Sequence, residues 1–207
     1  MKIIEPSFSI QGSIDGKQIL KNLEEAGRLC YKSEYLIKED SAEKFIAKII
    51  ARGHEAVIEH EKITVLIVCD RGVSHEIVRH RIASYAQEST RYCNYSKDKF
   101  GNELTFIRPY FWKDDVEKYD LWLRTMEIVE KSYLDLLQMG ATPEEARTVL
   151  PNSLKTEIFV TMNIREWRHF FKLRADKASH PQMREIARPM LDYFKELVPI
   201  VFDDISY

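Results

Sequence analysis

The densest group of polar side chains in the sequence lies between Arg79 and Tyr92. Its guanidinium, imidazole, amide and hydroxyl groups belong to Arg79, His80, Arg81, Gln87, Ser89, Thr90 and Arg91. A guanidinium can bind a phosphate through two parallel hydrogen bonds, which a lysine cannot do equally well. A turn in this segment would add backbone N–H donors for the same anion. The group therefore indicates anion binding, and a solvated basic helix end is the alternative interpretation.

A second group runs from Asn163 to Arg174 and combines charged with aromatic side chains. At about 100° per residue, Arg174 falls on the same helical stripe as Trp167 and Phe170, so it should face inward. Another face of this helix carries Arg165, His169 and Lys172, of which the first two could meet a second phosphate or the edge of a flavin. A buried guanidinium needs a strong acceptor. Arg174 should therefore meet either a structural carboxylate or a ligand.

A third group contains His54, Glu55 and His60, which are residue types that bind metal ions. The two histidines differ from the H-E-x-x-H spacing of zinc proteases, and on a helix they would point in different directions. No third ligand follows at an obvious spacing, so we predict no metal site. His54 and Glu55 could still contact an organic ligand.

Several motifs of covalent and nucleotide chemistry are missing from the sequence. It contains no G-x-G-x-x-G after a strand, no P-loop and no G-x-S-x-G frame around a serine. Cys30, Cys69 and Cys93 are widely spaced without a C-x-x-C pair, which favours reduced and mostly packed thiols. Several arginines without a nucleophile are typical of a site in which a cofactor carries the difficult chemistry.

Length and composition limit the class of protein. The chain has 207 residues, with 31 Lys plus Arg against 33 Asp plus Glu and a formal net charge of −2. This balance does not favour a general polyanion binder, so anion recognition should be local. No linker or repeat divides the chain, and residues 1–207 are predicted to form a single domain. The sequence shows neither a secretory signal nor an apolar run of the ~20 residues that span a membrane, so we expect a cytoplasmic protein.

Hydrophobic periodicity predicts many helices and a few short strands. The predicted helices cover 16–31, 41–53, 74–81, 116–139, 165–174 and 185–197, with a short one between Thr142 and Pro151. The predicted strands cover 63–68, 104–108 and 158–162. The predicted fold class is therefore α+β, helix-rich, with a small and mainly antiparallel sheet.

The first group also resembles the signature of a known family. Arg79-His80-Arg81, a spacer of seven residues and Ser89 match the pattern of the flavin-dependent thymidylate synthases. Further segments resemble landmarks of that family and occur in the same order: Gly53-His54-Glu55, Glu59-His60, Ala146-Arg147, Val149-Leu150-Pro151, Asn163 and Leu173-Arg174-Ala175-Asp176. The resemblance covers residues 16–195, which is nearly the whole chain.

This resemblance implies an FAD enzyme that methylates dUMP to dTMP without a covalent enzyme nucleophile. Methylenetetrahydrofolate would supply the carbon and NADPH the reducing equivalents, in a homotetramer with active sites at subunit interfaces. The implied FAD contacts are Arg79, His80, Arg81, Gln87, Asn163, Arg165 and His169. The implied dUMP contacts are Glu76, Arg79, Gln87, Glu88, Ser89, Thr90, Arg91, Arg147 and Arg174. Arg174 would be the catalytic residue that polarises the pyrimidine, while His54 and Tyr92 would border the folate or nicotinamide.

Three positions depart from the family pattern. Gln87 stands where many members have Glu, Ala56 replaces a hydroxyl residue, and Glu76 places a carboxylate near the expected phosphates. Two other functions fit the sequence. Tyr85, Tyr92 and Tyr95 interleave with basic residues, which is also typical of a module that binds RNA or single-stranded nucleic acid. A relative that has lost activity and binds a nucleotide only as a regulator would also keep this pattern.

Overall fold

The computed structural model describes residues 1–207, which fold as two compact units. The first unit comprises Met1–Ser7, Ile67–Arg79 and Tyr85–Phe159, and the second comprises Phe8–Leu66, His80–Ser84 and Val160–Tyr207. The prediction of a single domain over 1–207 stays a prediction. No helix is both long enough and apolar enough to span a lipid bilayer.

Helices account for 54% of the chain, which confirms a helix-rich α+β fold. The α-helices are α1 (Gly16–Tyr31), α2 (Ser41–Ala51), α3 (Arg71–Ile77), α4 (Val116–Gln138), α5 (Pro143–Ala146), α6 (Ile164–Arg174), α7 (Pro181–Leu197) and α8 (Pro199–Phe202). The strands are β1 (Lys2–Ile4), β2 (Ser7–Ile10), β3 (Lys62–Asp70), β4 (Ala83–Gln87), β5 (Thr105–Ile107) and β6 (Lys155–Asn163). Short 3-10 helices cover Glu34–Leu36, Glu55–His60, Asp98–Phe100, Tyr110–Trp112 and Arg147–Val149.

The strands form a pair and a four-stranded sheet. Strand β1 pairs with β5 in parallel, with Ile3 opposite Phe106. This pair is an exception to the mainly antiparallel sheet that we predicted. The larger sheet has the strand order β2-β3-β6-β4, so strands distant in sequence are neighbours.

The core of the first unit forms around α4. Its buried residues are Tyr95, Leu104, Phe106, Trp122, Met126, Tyr133, Ala146 and Leu154. Trp122, Met126 and Tyr133 come from α4 at the spacing of a single helical face, as the periodicity predicts. The short helix α5 begins with the capping box that its sequence indicates, because Thr142 and Glu145 satisfy each other's backbone N–H groups.

An aromatic cluster between α6, α7 and α8 forms part of the core of the second unit. Trp167 stacks on Phe171, and Phe171 contacts the rings of Phe194 and Phe202 edge to face. The Trp167 indole donates its N–H to the carbonyl oxygen of Ile63, so the polar edge of this buried ring is satisfied. This packing fixes the orientation of α6, which carries the second polar group of the sequence.

Most predicted elements are present, and their differences have local causes. Helix α3 spans Arg71–Ile77 instead of 74–81, because the Asp70 carboxylate caps the Val73 N–H and starts the helix earlier. Ser41 is the first residue of α2, and its hydroxyl bonds Glu24 and the Lys38 backbone. Strands β1, β2 and β4, of three to five residues, had no prediction.

The cysteines are free, as predicted, but they are not equally packed. Cys69 is buried, Cys93 is half-buried and Cys30 is exposed. Burial raises the pKa of the Cys69 thiol, which favours the neutral form of this side chain. The expectation of packed thiols is therefore wrong for Cys30.

Candidate active site

Helix α6 supplies most of the polar groups at the site in the second unit. It starts at Asn163, whose side-chain oxygen accepts the backbone N–H of Glu166 at 2.8 Å. Trp167 and Phe170 are fully buried, whereas Arg165 and His169 are exposed on the opposite side. The two faces that the sequence predicts are therefore present. Arg174 ends the helix and is half-buried.

The Arg174 guanidinium meets an imidazole, which the sequence analysis did not foresee. Its Nε–H donates to Nε2 of His80 at 3.1 Å. The other ring nitrogen of His80, Nδ1, lies 3.1 Å from a carboxylate oxygen of Glu166. Because Nε2 accepts a hydrogen bond, the proton of the neutral ring must be on Nδ1, which then donates to Glu166. Glu166, His80 and Arg174 thus form a continuous hydrogen-bonded chain.

Burial controls the protonation of this chain. His80 is only 4% exposed. Its burial and the nearby charges of Arg174 and His169 lower its pKa from 6.5 to about 4, so the ring is neutral at neutral pH. Burial also raises the pKa of Glu166, against the opposing effects of His169 and Arg165. The two groups therefore shift in the directions expected of titratable side chains withdrawn from water.

A cavity of about 430 Å³ lies beside α6 in the second unit. Its lining residues are Glu55, Glu59, Ile82, Asn163, Arg165, Glu166, Arg168, His169 and Lys172. The first turn of α6 favours an anionic ligand at this cavity. The lining adds three cationic side chains, Arg165, Arg168 and Lys172, together with three carboxylates. Arg165 is paired with Glu59 at 2.6 Å and with Glu55 at 3.6 Å, so a bound anion competes with these carboxylates. The residues fit the anionic part of a dinucleotide such as FAD.

Exposed and buried residues alternate in the signature segment Arg79-His80-Arg81. Arg79 and Arg81 are exposed on either side of the buried His80. Arg79 follows α3 in the first unit, where its backbone N–H donates to the Glu76 carbonyl oxygen. Arg81 lies in the second unit, as do Asn163, Arg165, His169 and Arg174. The structure thus brings His80 and Arg174 together and leaves the two flanking guanidiniums open to solvent.

The first unit holds the remaining predicted contacts, beginning with Gln87 at the end of β4. The Gln87 amide donates to the hydroxyls of Ser74 and Thr156, at 2.9 and 3.1 Å. Arg71 approaches the same Thr156 hydroxyl at 3.5 Å. Because its amide nitrogen is occupied by these hydroxyls, the half-buried Gln87 can offer its carbonyl oxygen to a ligand.

A turn follows β4, in the segment where a turn would add backbone N–H donors for an anion. The carbonyl oxygen of Ser89 accepts the N–H groups of Tyr92 and Cys93, and its hydroxyl accepts the N–H of Arg91. Arg91 is exposed and pairs with Glu144 at 3.1 Å. Thr90 is buried, and Arg147 is exposed at the start of a 3-10 helix. The turn therefore presents one guanidinium to solvent, while the Ser89 hydroxyl organises the backbone.

Two other predicted contacts have structural partners. Glu88 bonds Lys155 at 3.1 Å and accepts the Tyr95 hydroxyl at 2.8 Å. Glu76 is half-buried in α3. In the second unit, His54 Nδ1 lies 3.3 Å from the hydroxyl of Tyr31, and both side chains are exposed. Glu88 is thus engaged within its unit, whereas His54 is open to a ligand.

The alternative of a base-stacking surface loses support from the same residues. Tyr95 is 6% exposed and belongs to the core of the first unit. The Tyr85 hydroxyl donates to the Ile77 carbonyl oxygen, and this side chain is half-buried. Of the three tyrosines, Tyr92 alone is largely exposed. A row of stacking platforms for successive bases is therefore missing.

One group of residues has the composition of a metal site. Ligand atoms of His80, Glu166 and His169 lie within 4.8 Å of one another. Both ring nitrogens of His80 are already engaged, and the Arg174 guanidinium beside it repels a cation. His80 and Glu166 are therefore members of the hydrogen-bonded chain with Arg174, whereas His169 contacts the His80 ring edge to face. His54 and His60 lie at opposite ends of the Glu55–His60 helix and outside this group.

Sequence reasoning missed Glu166 as a member of the site. Its position, three residues after Asn163, is the usual place of a helix-capping glutamate. No local pattern shows that its side chain reaches a histidine 86 residues earlier. Arg168 was also missed, although its side chain is buried and paired with Asp204 and Glu55.

Comparisons with known proteins show the family to which this chain is similar. Residues 16–200 match the family model described as thymidylate synthase complementing protein. The flavin-dependent thymidylate synthase of Pyrococcus furiosus is 40% identical over 157 residues, which are 75% of this chain and 64% of that protein. The chain thus spans less than two thirds of this relative. The flavin-dependent thymidylate synthase of Geobacter sulfurreducens is 36% identical over 186 residues, covering 86% and 78% of the two chains.

The fold also resembles a solved structure. The crystal structure of the UMP/dUMP methylase PolB from Streptomyces cacaoi, bound with 5-Br dUMP, superimposes with a TM-score of 0.78. Sequence identity is 25%, and the match covers 98% of this chain and 96% of that one. Together with the family match over residues 16–200, these relatives confirm the resemblance in the signature: the chain belongs to the flavin-dependent thymidylate synthase family.

Proposed function

We propose that this protein is a flavin-dependent thymidylate synthase that methylates dUMP to dTMP, with FAD as its cofactor. Methylenetetrahydrofolate is the carbon donor and NADPH the reductant. The contact between Arg174 and His80 carries the proposal, because it places a guanidinium at a defined position instead of leaving it loose on the surface. Membership of the family and the likeness to a dUMP methylase support the choice of substrate.

Arg174 is the proposed catalytic residue. A guanidinium at the uracil ring stabilises the negative charge that develops when the pyrimidine is activated for attack. His80 accepts from the Nε–H and so orients the planar guanidinium, which we propose to meet the substrate. No side-chain nucleophile is needed in this mechanism, and the Ser89 hydroxyl serves the backbone of its turn.

The proposed FAD contacts are Arg79, His80, Arg81, Gln87, Asn163, Arg165 and His169. The cavity beside α6 supports the last three, because its helix N-terminus and cations suit a pyrophosphate. When bound, FAD would supply hydride transfer at this site. Arg165 would exchange its pairing with Glu59 for the cofactor, and Asn163 would keep the first turn of α6 in place.

The proposed dUMP contacts are Glu76, Arg79, Gln87, Glu88, Ser89, Thr90, Arg91, Arg147 and Arg174. Exposed Arg91 and Arg147 suit the phosphate, and the Gln87 carbonyl oxygen suits a neutral donor of the nucleotide. His54 and Tyr92 are the proposed border of the folate or nicotinamide. The assembly is proposed to be a homotetramer with active sites at subunit interfaces.

The test combines flavin binding with turnover. The purified protein should bind FAD and form dTMP from dUMP, methylenetetrahydrofolate and NADPH. Arg174→Ala should retain the flavin and lower kcat by about 10²–10³-fold, the usual effect of losing a donor to a developing oxyanion. The matched control is Arg184→Ala, which removes a guanidinium that bonds the Lys177 carbonyl oxygen at 2.7 Å. Failure of the parent protein to bind FAD or to form dTMP would refute the proposal.

A further inference from the structure

Glu166 is a buried carboxylate to which the proposed reaction assigns no task. It is 8% exposed, and its oxygen lies 3.1 Å from Nδ1 of His80. We propose that Glu166 is a positioning residue which, through His80, holds the Arg174 guanidinium in place for the pyrimidine. The inference rests on the proposed function, because it concerns the residue that activates the substrate.

The local structure of α6 supports a specific role for this carboxylate. A glutamate at this position of a helix commonly turns back to accept the backbone N–H of the capping residue. Helix α5 shows that arrangement, since Glu145 accepts the N–H of Thr142 at 2.7 Å. Glu166 instead extends away from its own helix start and reaches the His80 ring. The side chain thus departs from the ordinary local arrangement in favour of a partner 86 residues away in sequence.

The orientation of His80 explains how Glu166 acts on Arg174. The Nε–H of Arg174 needs an acceptor at Nε2, and a neutral ring offers one only while its proton is on Nδ1. The Glu166 oxygen accepts a hydrogen bond from Nδ1–H and so favours this tautomer. In the other tautomer, two N–H donors would face each other across 3.1 Å, and the guanidinium would have to move.

The surroundings of His80 restrict its other movements. The ring of Phe170 packs against the imidazole with centroids 5.0 Å apart, and His169 lies at 5.4 Å. Two rings therefore pack against the imidazole, and the identity of its protonated nitrogen decides whether Nε2 can accept from Arg174. A displacement of 1 Å at a reacting group lowers the rate by as much as about 10²-fold.

The test uses two substitutions that separate reach from charge. Glu166→Asp keeps the charge but withdraws the oxygens by one methylene, so they no longer reach Nδ1. Glu166→Gln removes the charge and keeps an acceptor oxygen at the same reach. In the FAD-loaded enzyme we expect Glu166→Asp to lower kcat about 10–100-fold with little change in KM for dUMP. The kcat of Glu166→Gln should stay within about threefold of the parent value, because its amide oxygen still accepts the hydrogen bond from Nδ1–H.

A double-mutant cycle identifies the route through Arg174. In an Arg174→Ala background, Glu166→Asp should cause no further loss of single-turnover dTMP yield, because both changes disable the same hydrogen-bonded chain. A full additional loss in that background would overturn the proposal, because it would show that Glu166 acts elsewhere. Unchanged kcat in Glu166→Asp, or an equal loss in Glu166→Gln, would overturn it as well.

A spectroscopic measurement does not depend on turnover. In protein labelled with ¹⁵N-histidine, the His80 ring should show the Nδ1-protonated tautomer at neutral pH, assigned by its disappearance in His80→Asn. Glu166→Asp should shift His80 toward the Nε2-protonated form, whereas Glu166→Gln should not. The same tautomer in all three proteins would contradict the inference. A parent that shows these tautomers but forms no dTMP would refute the proposed function alone.

Discussion

Acid should destabilise this protein through His80. The folded-state pKa of about 4 lies below the ordinary value of 6.5, so the unfolded chain binds the proton more tightly. The stabilisation from the neutral ring is therefore complete above pH 6.5 and disappears as the pH falls toward 4. Linkage over this shift gives a loss of about 2.5 kcal/mol in the free energy of unfolding between about pH 7.5 and about pH 4.5.

The neighbouring groups determine how this loss must be measured. Glu166 has a raised pKa, so its contribution has the opposite sign and favours the folded state as the pH falls. Other groups will titrate in the same range. The quantity to measure is therefore the difference in the free energy of unfolding between the parent and His80→Asn. The amide of this variant keeps a donor toward Glu166 and does not titrate. Both proteins are unfolded by urea, free of flavin and at one protein concentration.

Between about pH 7.5 and about pH 4.5, we expect the free energy of unfolding of the parent to fall by about 2.5 kcal/mol more than that of His80→Asn. A ¹⁵N titration of the labelled ring should give the same low pKa independently. Parallel stability curves for the two proteins, or a His80 pKa near 6.5, would show that the ring is solvated in the folded state and would refute the reasoning.

Two further substitutions test other buried polar contacts by urea unfolding. The Arg168 side chain is 2% exposed and pairs with the carboxylates of Asp204 and Glu55. Arg168→Met removes this partner and should lower the free energy of unfolding by about 3 kcal/mol. The half-exposed Lys172→Met is its control and should change stability by less than about 0.5 kcal/mol, so equal effects would contradict the assignment. Gln87→Leu removes the donor to two hydroxyls and should cost about 1–2 kcal/mol, with a change below about 0.5 kcal/mol counting against this contact.

Local patterns predicted most of the helices because each helix carries its own evidence. The apolar spacing in α1 and α4, and the capping box of α5, depend on residues within a few positions of one another. The strands β1, β2 and β4 could not be predicted in this way. Each is short, and its formation depends on a partner strand elsewhere in the chain.

In the polar site as well, the sequence predicted some features and left others open. The spacing of Arg79 to Ser89 indicated anion binding and the family, and the helical stripe placed Arg174 on the inner side of α6. The sequence left open whether a carboxylate or a ligand would meet that guanidinium. The structure supplies a third partner, the neutral imidazole of His80.

The sequence by itself determined which residue types this protein has for chemistry and on which helix faces they lie, because short-range spacing sets both. Tertiary structure decided which of them meet. His80 is 94 residues from Arg174 and 86 from Glu166, and only the packing of α6 on its aromatic core brings the three within hydrogen-bonding distance. Burial at that position then lowers the pKa of His80, a property that no local pattern contains.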